Sequence, residues 1–143
     1  MYKNFASFLF VSIFCGGMFF ESCKKEQADT QASRLVGNWK KIQYATDDNN
    51  NGILDAQEIH NVQAGFDDYM FFKADSTGSE TVKANGETSI YAFRWNLPIG
   101  DSLYRQGVGH LNISYYIVDI TSSNLTLVSN QSKVAAWYIY AKM

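Results

Sequence analysis

From Leu35 to the C-terminus, apolar and polar residues alternate with a period of two rather than 3.6, the pattern of strands that bury one face. Gly37 to Ala45 (GNWKKIQYA) reads as a first strand and Asp68 to Ala74 (DYMFFKA) as a second. A DSTG turn leads into SETVKA, and Asn85-Gly86 is the signal of a two-residue hairpin. In the strand after it, Tyr91, Phe93, Trp95 and Leu97 share one face, while Ala92, Arg94 and Asn96 share the other. A PIGD turn, a short strand around Leu103 to Gln106 and the long strand HLNISYYIVDI follow. That strand carries Leu111, Ile113, Tyr115 and Ile117 on one side, and NLTLVSN and VAAWYIYAKM finish the chain. Many short strands joined by short turns predict an all-β fold: an antiparallel, eight-stranded up-and-down barrel, which leaves no exposed sheet edge.

One segment departs from the period. Asp47 to Glu58, DDNNNGILDAQE, satisfies the pattern of a calcium-binding loop, D-x-[DN]-x-[DN]-G-x5-E. A calcium loop needs hard oxygen ligands at alternate positions of a sharp turn and a carboxylate that closes the shell with both oxygens. Asp47, Asn49, Asn51 and Asp55 offer side-chain oxygens, Ile53 its backbone carbonyl, and Glu58 the closing carboxylate. Gly52 stands where the bend requires it. An Asn-rich turn would account for Asn51-Gly52 alone, but has no use for Asp55 and Glu58 at those spacings. A short helix is expected after the loop, from Ala56 to Gln63, with Asp55 as its cap and Ile59 and Val62 on one side. The unit is then strand, loop and helix, and a calcium ion in it would be structural.

Composition narrows the field. The chain has 143 residues, a formal net charge of −2 and one proline, enough for a single domain with a sizeable core. No basic surplus points to nucleic acid. His60 and His110 stand alone, without metal-like spacing, and Asp67 and Asp68 read as the start of a strand in solvent. No nucleophile motif, phosphate loop or cysteine cluster is present, so a binding protein is expected rather than an enzyme.

The N-terminus reads as a targeting segment. Lys3 precedes FASFLFVSIFCGGMFF, Phe5 to Phe20, an uncharged stretch shorter than a membrane span needs. With Ser22 before it, Cys23 resembles the lipidated cysteine of bacterial lipoproteins. The resemblance implies a signal peptide over residues 1–22, a lipid anchor on Cys23 with a flexible tether to residue 33, and the barrel domain over 34–143. It places the protein in the cell envelope, at the outer membrane on its periplasmic or its outer face.

Gly37-Asn38-Trp39 at the head of the first strand resembles the G-x-W of lipocalins, and the later rhythm (YMFFKADSTGSE, YAFRWNL, GDSLY, LTLVS) is similar to that of bacterial lipocalin-like lipoproteins. The resemblance implies that Trp39 plugs one end of the barrel. In that family an Arg from the last strand lies over the Trp; here the last strand offers Lys142. A barrel of this size either fills itself with side chains or holds one small ligand. Trp39, Trp95, Tyr115 and Trp137 are candidates to line such a cavity. Two functions follow: carriage of a small apolar or amphipathic molecule, or a filled barrel whose outer surface meets a protein or a glycan.

Overall fold

The structure, a computed structural model, describes residues 30–107, 112–129 and 134–143. The segments read as signal peptide, lipidated Cys23 and tether as far as residue 29 lie outside these, as does His110. Among the described residues, nine strands form one antiparallel sheet: β1 (Gly37–Thr46), β2 (Ile59–Asn61), β3 (Phe66–Phe72), β4 (Thr77–Ala84), β5 (Glu87–Asn96), β6 (Ser102–Gly107), β7 (Asn112–Ile120), β8 (Asn124–Ser129) and β9 (Ala136–Lys142). From β3 to β9 each strand pairs with the next, and β1 pairs with β3 on one side and β9 on the other. The sheet therefore closes as an eight-stranded up-and-down barrel, as the alternation predicts. The β2 strand is an extra piece laid on the far half of β1, where β3 has left that edge free. Asn85 and Gly86, both with positive φ, make the two-residue turn between Ala84 and Glu87.

Inward and outward positions alternate, with two interruptions. In β1, Trp39 and Lys41 point inward, and a register shift between Lys41 and Gln43 then turns Tyr44 inward. In β7, Tyr115 and Ile117 are buried, and a shift between Ile117 and Asp119 brings Ile120 into the core. A strict period of two predicts the wrong face beyond each bulge.

One end of the barrel is closed by a short helix, α1 (Gln31–Leu35), capped by Thr30, whose hydroxyl accepts from the Ser33 N–H at 3.2 Å. Residues 31–33, read from sequence as tether, thus belong to the domain. The indole N–H of Trp39 donates to the Leu35 carbonyl at 2.7 Å, and the Lys142 ammonium donates to the Arg34 carbonyl at 3.1 Å. These bonds satisfy two carbonyls that the end of a helix leaves without partners. Lys142 also lies 5.0 Å from the Trp39 ring centroid, so a lysine takes the place the resemblance assigns to an arginine. Gly37 is favoured here by its backbone: its φ is +138°, a conformation that L side chains rarely adopt. Beyond Trp39 the core continues with Phe72, which meets Phe93 and Trp95 edge-on at 5.4 and 5.7 Å.

The helix expected over Ala56–Gln63 is absent. A single 3₁₀ turn, Ala56–Glu58, runs directly into β2. The physical reason lies in β1, whose free edge at Gln43–Ala45 offers backbone partners to Ile59–Asn61. An eight-residue helix is marginal by itself, and Asp55 makes no side-chain cap to start it.

Candidate functional site

At the end opposite Trp39 the barrel opens into a cup of about 350 Å³, lined by Lys41 and Tyr44 of β1, Val62 and Gln63 after β2, Phe66 of β3 and Tyr138 of β9. That volume is at the lower end of the range for small-molecule sites. The wall is mostly apolar or aromatic, and among the described residues Lys41 is its one charged member.

The barrel interior around Lys41 is charged. The Lys41 ammonium pairs with Asp68, and its Nζ lies 4.8 Å from the Tyr138 ring centroid. Arg105 of β6 donates through Nη2 to Glu80 of β4 at 2.7 Å, and Nη1 is 3.4 Å from the Tyr115 hydroxyl. Its guanidinium lies 4.2 Å from the Phe93 ring centroid. Two polar atoms, Oδ1 of Asp68 and Nε of Arg105, are buried without a hydrogen-bond partner. Burial pushes the Asp68 carboxyl above the usual carboxylate range, against the pull of Lys41. It also pushes the Tyr115 phenol up to about 12 and raises Tyr138 and Tyr140. Asp68 therefore does not start a strand in solvent. Only Asp67 does so, paired on the surface with Lys40 at 2.7 Å.

The residues expected to line a cavity are distributed differently. Trp39 and Trp95 fill the closed half, and the Trp95 indole donates to the Lys73 and Thr77 carbonyls at 3.2 and 3.1 Å. Tyr115 is a core residue that meets Tyr138 of the cup edge-on at 6.1 Å. Trp137 is not among the described residues that line the cup. Its neighbours Tyr138 and Tyr140 pair with Leu127 and Leu125, both in the core, so strand alternation points Trp137 outward. It is nonetheless buried, as is Ala45 opposite it in the ladder.

The loop after β1 brings Asp47, Asn49, Asn51, Asp55 and Glu58 into one hydrogen-bonded turn. Oδ1 and Oδ2 of Asp47 accept from the Asn51 and Gly52 N–H groups at 3.0 and 2.9 Å. The side chains of Asn49 and Asn51 both donate to Oδ2 of Asp55 at 2.9 Å. Oε1 of Glu58 accepts from the Asp48 N–H at 3.0 Å, which brings the end of the loop back to its start. Asp47 and Glu58 are only 5% and 7% exposed, and Oε2 of Glu58 is buried with no partner. Gly52 has φ +74°, the left-handed bend expected at that position. Ile53 exposes its side chain, so its backbone alone is available to the loop. Among the described residues no three His, Cys, Asp or Glu side chains form a ready metal-binding group. The loop mixes carboxylates with Asn amides, and Asp55 is held by those amides. The donor set is one of hard oxygens, and its buried, unpartnered carboxylate oxygen suits a cation such as calcium.

No protein-family model matches the chain, and neither does any curated protein. Solved structures do match. A lipocalin-like protein from Bacteroides uniformis superposes with a TM-score of 0.58 at 16% identity, over 77% of this chain and 99% of that one. A protein from Bacteroides eggerthii does so with a TM-score of 0.57 at 11% identity, over 76% and 99%. The barrel is lipocalin-like. At these identities the likeness carries the fold, and the site has to be read from this chain's own residues.

None of the residues that the sequence marks as cavity candidates lines the cup. The signal was available in the strand phase. Lys41 is two residues from Trp39, Asp68 two from Met70 and Arg105 two from Leu103, so each charge shares a face with a core residue. A charge in phase with a core face marks a polar site inside a barrel.

Proposed function

We propose that this chain is a lipid-anchored protein of the cell envelope, non-enzymatic, whose lipocalin-like barrel carries a small amphipathic molecule in its open cup. The observation that carries the reading is the asymmetry of the barrel: one end is sealed by Trp39, α1 and Lys142, and the other opens on an apolar-walled cup. The anchor rests on the sequence around Cys23. The alternative, a filled barrel that meets a protein or glycan on its outside, draws on the exposed Ile90, Tyr91, Tyr116 and Val118. Native mass spectrometry of the full chain, made in a bacterial host and extracted from its membranes, separates these readings. The expected result is lipid mass on Cys23 together with a small molecule released on unfolding. A chain with no lipid mass sinks the anchor, and an empty barrel in every preparation favours the outer-surface reading.

In this reading a calcium ion binds at Asp47, Asn49, Asn51, Asp55, Glu58 and the Ile53 carbonyl. The same connection supplies Val62 and Gln63 to the cup, so fixing the loop would stiffen one wall of it. Two Asn amides in place of carboxylates favour a modest affinity, in the range of about 10⁻⁴ M seen in extracellular modules. At calcium of about 10⁻³ M, mass action then adds about 1.4 kcal/mol of stability. The melting temperature should rise by about 3–6 °C over that in chelator. Glu58→Gln should remove most of that rise, and Gln57→Ala, at an exposed position, should keep it. Identical wild-type melts with and without calcium, and no heat of binding at millimolar calcium, would leave only a polar turn.

A further inference from the structure

We propose that the cup selects an uncharged amphipathic molecule, one with a hydroxyl or carboxamide head set against Lys41, and discriminates against carboxylate and ammonium heads. This rests on the reading of the cup as a ligand site and names the class of its ligand.

Charge balance carries the inference. The interior beside the cup holds two cations, Lys41 and Arg105, and two anions, Asp68 and Glu80, paired one to one. Asp68 and Arg105 are each less than one-tenth exposed, and the Lys41 and Glu80 side chains are mostly buried. Among the described residues the set is neutral as it stands. A carboxylate entering beside Lys41 leaves three anions to two cations, and an ammonium leaves three cations to two anions and meets Lys41 as a like charge. An unbalanced charge in a low-dielectric interior costs far more than a neutral polar group of the same size.

Hydrogen bonding points the same way. The Lys41 ammonium has three donors and uses one on Asp68, so it can donate to a neutral oxygen without giving up its ion pair. The cup wall adds groups that both give and accept: the Gln63 amide and the phenols of Tyr44 and Tyr138. Deeper in the same interior, Oδ1 of Asp68 lacks a donor and Nε of Arg105 lacks an acceptor. A hydroxyl or an amide offers both capacities. A carboxylate only accepts, and an ammonium only donates. Val62, Phe66 and the ring faces of Tyr44 and Tyr138 are left for an apolar body.

The experiment uses four probes with the same straight ten-carbon chain: decanol, decanamide, decanoate and decylamine. Each competes against a neutral naphthylamine dye for the full chain at about pH 8, where the acid and the amine are both charged. Decanol and decanamide should displace the dye, with decanoate and decylamine weaker by about 10- to 100-fold. Two variants shift the balance in opposite directions. Asp68→Asn leaves a surplus cation and should narrow or reverse the gap between decanoate and decanol. Lys41→Met leaves a surplus anion and should do so for decylamine. Equal affinity for all four heads, a charged head binding most tightly, or variants that fold but leave the ranking unchanged overturns the inference and leaves the cup as a ligand site. If the dye binds nowhere and no probe gives a heat of binding, the cup reading itself falls. Should either variant not fold, the wild-type ranking of the four heads decides.

Discussion

Trp39→Ala should destabilise the barrel by about 3–5 kcal/mol, the range for truncating a large buried aromatic. Trp39 is fully buried at the sealed end, so its loss opens a void that the surrounding β-strands can only partly close. Three other interactions go with it. The Leu35 carbonyl loses its indole donor, the Lys142 ammonium loses the ring it lies over, and α1 loses the residue that ties its last turn to the sheet. Trp39→Phe should retain most of the packing and lose mainly the hydrogen bond, about 0.5–1.5 kcal/mol. Ile90→Ala, at an exposed position, should change stability by less than about 0.5 kcal/mol. Urea titration of the three variants and the wild type gives the ranking. A Trp39→Ala change below about 1 kcal/mol would mean that the barrel is closed by something other than the Gly37-Asn38-Trp39 turn.

The strand framework was legible because each strand has a buried and a wet face, and that contrast writes a period of two into the sequence. Gly37 and Trp39 were legible as a pair through the G-x-W resemblance: one takes a backbone conformation that side chains disfavour, and the other is fully buried two residues on. Local chemistry also marked the Asp47–Glu58 loop, since its hydrogen bonds run between residues two to ten positions apart. The missed features depend on distant partners. A helix over Ala56–Gln63 fits its own residues, but the free edge of β1 decides the outcome, and nothing within those eight residues records it. Trp137 has the composition of a cavity residue, yet its face is fixed by the register with β8. Tyr44 reaches the cup only because a bulge resets the phase of β1. The ion pairs join residues 27 and 25 positions apart, Lys41 to Asp68 and Glu80 to Arg105, and reveal themselves only once both strands face one interior.

Arg105→Met should cost about 3–5 kcal/mol, whereas the double replacement Arg105→Met with Glu80→Leu should cost little or stabilise the fold. The asymmetry follows from what each change leaves behind. Removing Arg105 alone strands the Glu80 carboxylate, whose side chain is only 19% exposed, in an interior that still holds Asp68. It also takes the cation from the Phe93 face and a hydrogen-bond partner from the Tyr115 hydroxyl. Removing both charges takes away the desolvation cost of two ions and replaces them with apolar volume next to Met70 and Phe93, which are already part of the core. It also removes the unpartnered Nε of Arg105, a group that costs stability in the wild type. A double-mutant cycle built from Arg105→Met, Glu80→Leu and the pair, followed by urea denaturation, should give a coupling energy at least as large as the cost of Arg105→Met alone, about 3–5 kcal/mol, since the double variant loses little. Additive effects, with the double variant as unstable as the sum of the singles, would mean that the pair is not shielded from water as the structure has it. A double variant that is as stable as wild type but no longer holds the neutral ten-carbon probes would instead show that these charges are kept for the cup and not for the fold. That is the expected outcome if the unpartnered atoms beside Lys41 belong to a ligand site.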